Sequence, residues 1–306
     1  MKRLLLLITC TWVSLTAADE AEFRQRIDAA RHAKDDKAWT AAIDEWKKAE
    51  PKSPEPLIAE ANQLFSKASI IRLDARPPKK GELELKNPKT GETAGSIGAG
   101  APDSELCGKA VAVLKKALEL APERLDIRCG MAHLCQESGR FDEELEILKT
   151  MASYALAHPA EQRWLKGGAL DKPTDKFVAE KLHSYGLHYY NQETTDGEKK
   201  FGAIAKIVTE SYPDNPVGWN DLALFRYLTE KNTKAAAECL EKAAALDPSD
   251  KVVQFNLAKF YSELGENAKA KAIYEQVIKN SKKPEDVKAA KQKLKELEKE
   301  RLKKTL

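Results

Sequence analysis

The sequence lacks an excess of charge of either sign. Its 51 Lys and Arg nearly balance 48 Asp and Glu, for a net charge of +3 over 306 residues. A dedicated nucleic-acid binder carries a strong basic excess, so the balance argues against that class. Glycine and proline are few, at 15 and 14, which excludes a collagenous or low-complexity chain. Beyond residue 18 no stretch approaches the ~18 apolar residues of a membrane span. The signatures Gly-x-Ser-x-Gly, His-Glu-x-x-His and Cys-x-x-Cys are absent. His183 and His188 lie about 140° apart around a helix, so one metal would not hold both. Glu143-Glu144 and Asp35-Asp36 point in different directions and read as solvated helix faces. No catalytic residue, metal site or cofactor is therefore expected. An envelope enzyme with a site assembled in space is the remaining catalytic alternative.

What is present can build a core. Hydrophobic residues make up 42% and aromatics 7%, enough to exclude a disordered tail. Charged residues make up 32%, above the usual quarter, which implies much exposed helix surface. The length suits one large domain or two ordinary ones.

Residues 1–18 read as a secretory signal. Lys2 and Arg3 precede an apolar run from Leu4 through Leu15, and Thr16-Ala17-Ala18 closes it with small residues. A buried N-terminal helix and a lipid-modified Cys10 are the alternatives. The expected destination is the periplasm or the exterior. Cleavage after Ala18 would leave 49 basic residues against 48 acidic. Cys107, Cys129, Cys135 and Cys239 remain in helical patterns and read as small buried hydrophobes. An oxidising compartment keeps a disulfide among Cys107, Cys129 and Cys135 open. Cys129 and Cys135 sit about 240° apart around a helix, so they do not share a metal-binding face.

Paired helices recur along the chain. In the clearest unit Leu257, Ala258 and Tyr261 mark a first helix, Gly265 ends it, and Ala270, Ile273, Tyr274, Val277 and Ile278 line a second. One unit earlier, Trp219, Leu222, Ala223 and Tyr227 are followed by Ala236, Leu240, Ala243 and Leu246. Earlier still, Ile127, Met131, Ala132 and Cys135 lead to Gly139, then Phe141, Leu145, Leu148 and Met151. Ala132, Gly186, Ala223 and Ala258 each follow a larger residue, as close helix approach requires.

This pattern resembles the tetratricopeptide repeat, a helix–turn–helix of roughly 34 residues. The match is good over 125–158, 216–248 and 250–283, loose around 182–216 and poorer over 20–52. The resemblance implies an all-α solenoid, a right-handed superhelix with a long concave surface. It implies helix-pair repeats over 19–158 and 176–283, a connecting segment at 159–175 and a capping helix at 284–306. It further implies a partner-binding groove. Cys129, His133 and Gln136 fall on that face in one unit, and His183, Leu187 and Tyr190 in the next. Asn220, Leu224 and Tyr227 follow, then Phe255, Lys259 and Ser262. The role implied is a non-catalytic adaptor for a peptide or protein segment. A structural component of a secretion, pilus or polysaccharide-export machine is the alternative. The Lys and Asn with which some members grip a C-terminal carboxylate are missing. Asn220 with Leu224, and Cys129 with His133, stand in those places, so chaperone-tail binding is not expected.

Three segments stand apart. Pro56 to about Ile71 reads as a first helix whose partner begins only near Ser104. Between them, around 72–103, Glu82–Lys86 and Thr93–Ile97 alternate with period two about Asn87-Pro88-Lys89-Thr90-Gly91. This predicts a small β-hairpin, with Gly95, Gly98 and Gly100 as a flexible exit. Pro159 to Asp175 predicts a short helix, Glu161–Lys166, packed by Trp164 and Leu165, with a hinge as the alternative. From Pro284 onward Val287, Ala290, Leu294, Leu297 and Leu302 form a narrow stripe. Ten Lys and Arg stand against five acids between 282 and 304. A polar solenoid cap is expected, with a coiled coil or an anionic-surface contact as sharper alternatives.

Overall fold

The computed structural model describes residues 17–78 and 82–305. Apart from the backbone of Ala17 and Ala18, the expected signal lies outside the described residues. Among the described residues there are thirteen helices and three strands. No described helix is long and apolar enough to cross a membrane. Two compact units divide between Gly139 and Arg140.

The first unit begins with α1 (Ala17–His32) and α2 (Asp36–Ala49). Trp39, Ala42, Ile43 and Trp46 recur at helical spacing and form the buried face of α2. Phe23 stacks on Trp46 at 5.7 Å. Asp35 starts α2 by accepting the amides of Lys37 and Ala38, a cap worth about 1 kcal/mol. Next come α3 (Glu55–Ala68), α4 (Ser104–Leu120) and α5 (Leu125–Glu137). Helix α3 packs on α4, and α4 on α5. A buried ion cluster ties this unit together. The Arg124 guanidinium lies 2.7 Å from Glu55 and grips Asp126 with two nitrogens, while Arg24 reaches the other Glu55 oxygen at 2.6 Å. Losing one partner of such a buried cluster costs about 3–5 kcal/mol.

The 35-residue gap between α3 and α4 is filled by a sheet. Helix α3 ends at Ala68 rather than near Ile71. Ile71–Asp74 is instead strand β1, pairing with β3 (Thr93–Ala99), which also pairs with β2 (Leu83–Lys86), all antiparallel. The expected hairpin is β2–β3, and Gly91 turns it at φ +74. The glycines of β3 do not loosen an exit. A Cβ on Gly95 would lie 2.3 Å from the Asp74 carbonyl oxygen, and one on Gly98 would lie 2.9 Å from Glu82. Their bareness lets neighbouring chain approach. The feet of the insertion close on each other, the Asp103 amide donating to Ala68 O at 2.9 Å and Gly100 to Ile70 O at 2.8 Å. The helix pair thus continues as though uninterrupted.

The second unit runs α6 (Phe141–Ala157), α7 (Thr174–Tyr190), α8 (Thr195–Ser211), α9 (Pro216–Leu228), α10 (Thr233–Leu246), α11 (Lys251–Glu263), α12 (Asn267–Asn280) and α13 (Pro284–Thr305). From α7 onward each helix packs on the next. Thr194, Asn215, Asn232 and Asp250 accept first-turn amides of the helices they precede. Gly265 closes α11 at φ +80, a left-handed position suited to glycine. Ala223 and Ala258 are fully buried at helix contacts. Where α8 meets α9 the approach is closer still: a Cβ on Gly202 would stand 2.1 Å from the Phe225 ring, and one on Gly218 2.6 Å from Val208.

Two expectations fail in this unit. Residues 158–173 contain no helix. Lys166 and Gly167 both have positive φ, which a right-handed helix does not admit, and Trp164 bridges Gly168 instead. Trp164 still packs, edge-on to Phe177 at 4.9 Å, but Leu165 is exposed. Glu144 is not a solvated residue. It shares the inward face of α6 with Leu148 and Met151, is fully buried, and accepts a hydrogen bond from the Tyr189 hydroxyl of α7. The four cysteines are buried thiols. On α13, Ala290 and Leu297 are buried, while the Leu302 side chain lies outside the described residues.

The glycines give a paired prediction. Gly202→Ala should destabilise the protein by about 1–3 kcal/mol through overpacking against Phe225. Gly130→Ala, whose Cβ meets only Leu114 at an ordinary 3.5 Å, should stabilise by about 0.5–1 kcal/mol. Urea denaturation of both variants checks the contrast.

Candidate functional site

Three helices of the second unit each present one triplet at i, i+4 and i+7, a single helical face. His183, Leu187 and Tyr190 lie on α7, Asn220, Leu224 and Tyr227 on α9, and Phe255, Lys259 and Ser262 on α11. Every member is half-buried except Lys259, which is exposed.

Contacts join these faces. His183 Nδ1 lies 2.6 Å from the Asp221 carboxylate, linking α7 to α9. Asp221 is 3% exposed. Tyr227 stacks on Phe260 at 4.5 Å and donates its hydroxyl to Glu263 at 3.0 Å, linking α9 to α11. Lys259 stands over the Tyr227 ring at 4.9 Å. Tyr190 packs on Phe201 of α8 and Phe255 on Tyr274 of α12. Leu187 and Leu224 fall between these anchored residues. Asn220 Oδ1 is buried and has no hydrogen-bond partner among the described residues.

At its far end the face opens into a cleft of about 560 Å³, lined by Phe255, Lys259 and Ser262, with Tyr274 of α12 and Lys293 and Glu296 of α13. Aromatic surface beside charges of both signs suits a polypeptide segment more than a single small charged molecule. In the first unit, Cys129 is buried, Gln136 is half-buried, and His133 is exposed and edge-on to Phe65 at 5.8 Å.

The electrostatics centre on His183 and Asp221. The hydrogen bond and charge of Asp221 push the His183 imidazole above its ordinary value, against the opposing effect of burial. Burial pushes the Asp221 carboxyl up, though the imidazole partly offsets it. Asp221 did not stand out in the sequence. The signal was its place directly after Asn220, the residue one unit on from His183. No group of three or more His, Cys, Asp or Glu placed to hold a metal occurs among the described residues.

Residues 227–294 match the Tetratricopeptide repeat family, from the end of α9 into α13. No curated protein matches the chain. Solved structures of low likeness include YrrB, described as a TPR protein with an unusual peptide-binding site. It is 14% identical, with a TM-score of 0.38, over 82% of this chain and 98% of that one. The assembly chaperone of RpL4 is 15% identical, with a TM-score of 0.38, over 92% and 98%. Pseudomonas aeruginosa pilF is 21% identical, with a TM-score of 0.33, over 58% and 70%. Likenesses at these TM-scores carry no argument about function.

The ion pair predicts a titration. The folded pKa of His183 exceeds the unfolded value of about 6.5. Its stabilisation is therefore complete below about pH 6.5 and is lost as pH rises through the folded value. NMR of the imidazole should show His183 titrating above an ordinary histidine, and Asp221→Asn should bring it down. The gap in melting temperature between wild type and Asp221→Asn should narrow as pH rises through the His183 titration.

Proposed function

We propose that the protein is a non-catalytic adaptor that holds a peptide or protein segment against the face of α7, α9 and α11. The observation that carries this reading is the cleft of about 560 Å³ at the end of that face, where Phe255 and Tyr274 stand beside Lys259, Lys293 and Glu296. Leu187 on α7 and Leu224 on α9, both half-buried, supply apolar contact along the same face. An export signal over residues 1–18, if cleaved, would put the adaptor in the periplasm or outside the cell. Partner identity enters this reading only as a polypeptide.

A second reading makes the protein a structural component of an envelope assembly. The observation favouring it is the sheet of the first unit, where Leu73 and Leu83 are each 69% exposed and flank Ile97 in register.

Affinity capture from the source cell's envelope extract separates the two. The combined substitution Leu187→Asp and Leu224→Asp, with helix content unchanged by circular dichroism, should lower partner recovery about tenfold, as loss of a central apolar contact does. Deleting 70–102 should leave recovery intact. The opposite pattern would assign the contacts to the sheet and sink the groove reading.

A further inference from the structure

A second surface lies apart from that face. Lys282, Lys283, Lys288, Lys291 and Lys295 line one cleft of about 740 Å³ beside α13, together with Pro284 and Val287. No carboxylate lines it. All five lysines are exposed. Nearby lysines are matched: Lys259 with Glu263, Lys269 with Glu266, Lys271 with Glu275 and Lys293 with Glu296. None of the five in the cleft forms an ion pair with a described residue. Lys288, Lys291 and Lys295 follow at i, i+3 and i+7, so like charges stack along one face, which by itself disfavours the helix. An anionic occupant would relieve that repulsion beyond what salt screening does.

We propose that this cleft docks an acidic amphipathic helix of a partner protein. Lys288, Lys291 and Lys295 rise by about 4.5 and 6 Å. A second helix bearing Asp or Glu at i, i+3 and i+7 repeats that spacing, and a small apolar side chain on it meets Pro284 and Val287. The alternatives fit less well. A helix that binds a bilayer surface carries a free apolar face with Trp, Phe or Leu. Here Ala290 and Leu297 are buried in the fold, and no aromatic residue lines the cleft. Single-stranded nucleic acid uses aromatic platforms for its bases, and this surface offers none.

The test uses the purified chain and a labelled synthetic helix with Glu at i, i+3, i+7 and i+10 in an Ala and Leu background. Fluorescence anisotropy should show binding that weakens about tenfold between low and physiological salt, as exposed charge pairs do. Lys288→Glu, Lys291→Glu and Lys295→Glu together should abolish it, and the same variant should bind a peptide with Lys in place of Glu. The milder Lys→Gln triple variant should lie between, which guards against misfolding. Leu187→Asp with Leu224→Asp should leave this binding unchanged, so the test stands apart from the α7, α9 and α11 reading. A scrambled peptide with Glu spread around the helix should bind weakly. Equal binding of the scrambled peptide, no effect of the triple variants, or preferential binding to anionic vesicles or to an oligonucleotide would each overturn the proposal.

Discussion

Helices in the second unit lie close because their contact points are nearly bare of side chain. Gly202 and Gly218 leave no room for a Cβ beside Phe225 and Val208, and Ala223 and Ala258 are wholly buried. Interaxial distance is set by the side chains at the crossing, so these positions govern the spacing of the array. The spacing in turn decides what the first helices of successive pairs can share. His183 spans to Asp221, and Tyr227 spans to Phe260 and Glu263. A larger residue at a crossing would pull these partners apart before it touched any of them. The face of α7, α9 and α11 is thus a consequence of packing one layer below it.

Packing alone would not settle which helix lies beside which. The apolar faces of repeated helix pairs resemble one another, and an array of them tolerates slippage. Buried polar groups do not. Glu144 has its partner in Tyr189, Asp221 in His183, and Arg124 in Glu55 and Asp126. Displacing any of these by one helical turn strands a buried charge. Each pair is chemically different, so none can stand in for another. Within each unit they act as addresses laid over a generic apolar core.

Much of this fold was legible in the sequence because helix pairs are local. Spacing within one helix exposed the inward faces, and small residues such as Ala223 and Ala258 marked the crossings. What escaped was non-local or depended on backbone sign. Strand β1 read as the end of α3 because Ile70 and Ile71 continue an apolar pattern. Its strand character comes from a partner at Ser96–Ala99, beyond any local window. The segment after α6 looked helical at Glu161–Lys166, yet Lys166 and Gly167 take positive φ, which periodicity does not report. Glu144 read as exposed because its neighbour Glu143 obscured its place in the stripe of Leu148 and Met151. The repeat register assigned the face residues, but it did not report their mutual contacts. The 38-residue separation of His183 and Asp221 becomes meaningful only once α7 and α9 are known to be neighbours.

Those contacts change which face residues are free to recognise anything. His183 is held by Asp221, Tyr227 by Phe260 and Glu263, and Phe255 by Tyr274. Their aromatic and charged groups already have partners, and a ligand would have to compete for them. Leu187 and Leu224 carry no such commitment. They sit between the fixed residues, so the surface around them is pre-organised, and little side-chain entropy is lost when a segment binds. The same logic separates this face from α13. There the lysines are exposed, like-charged and unmatched, so what they offer is long-range attraction that salt weakens. The α7, α9 and α11 face offers apolar surface between fixed side chains, which would act at contact distance. A partner that used both would be drawn in by its charge and selected by its fit.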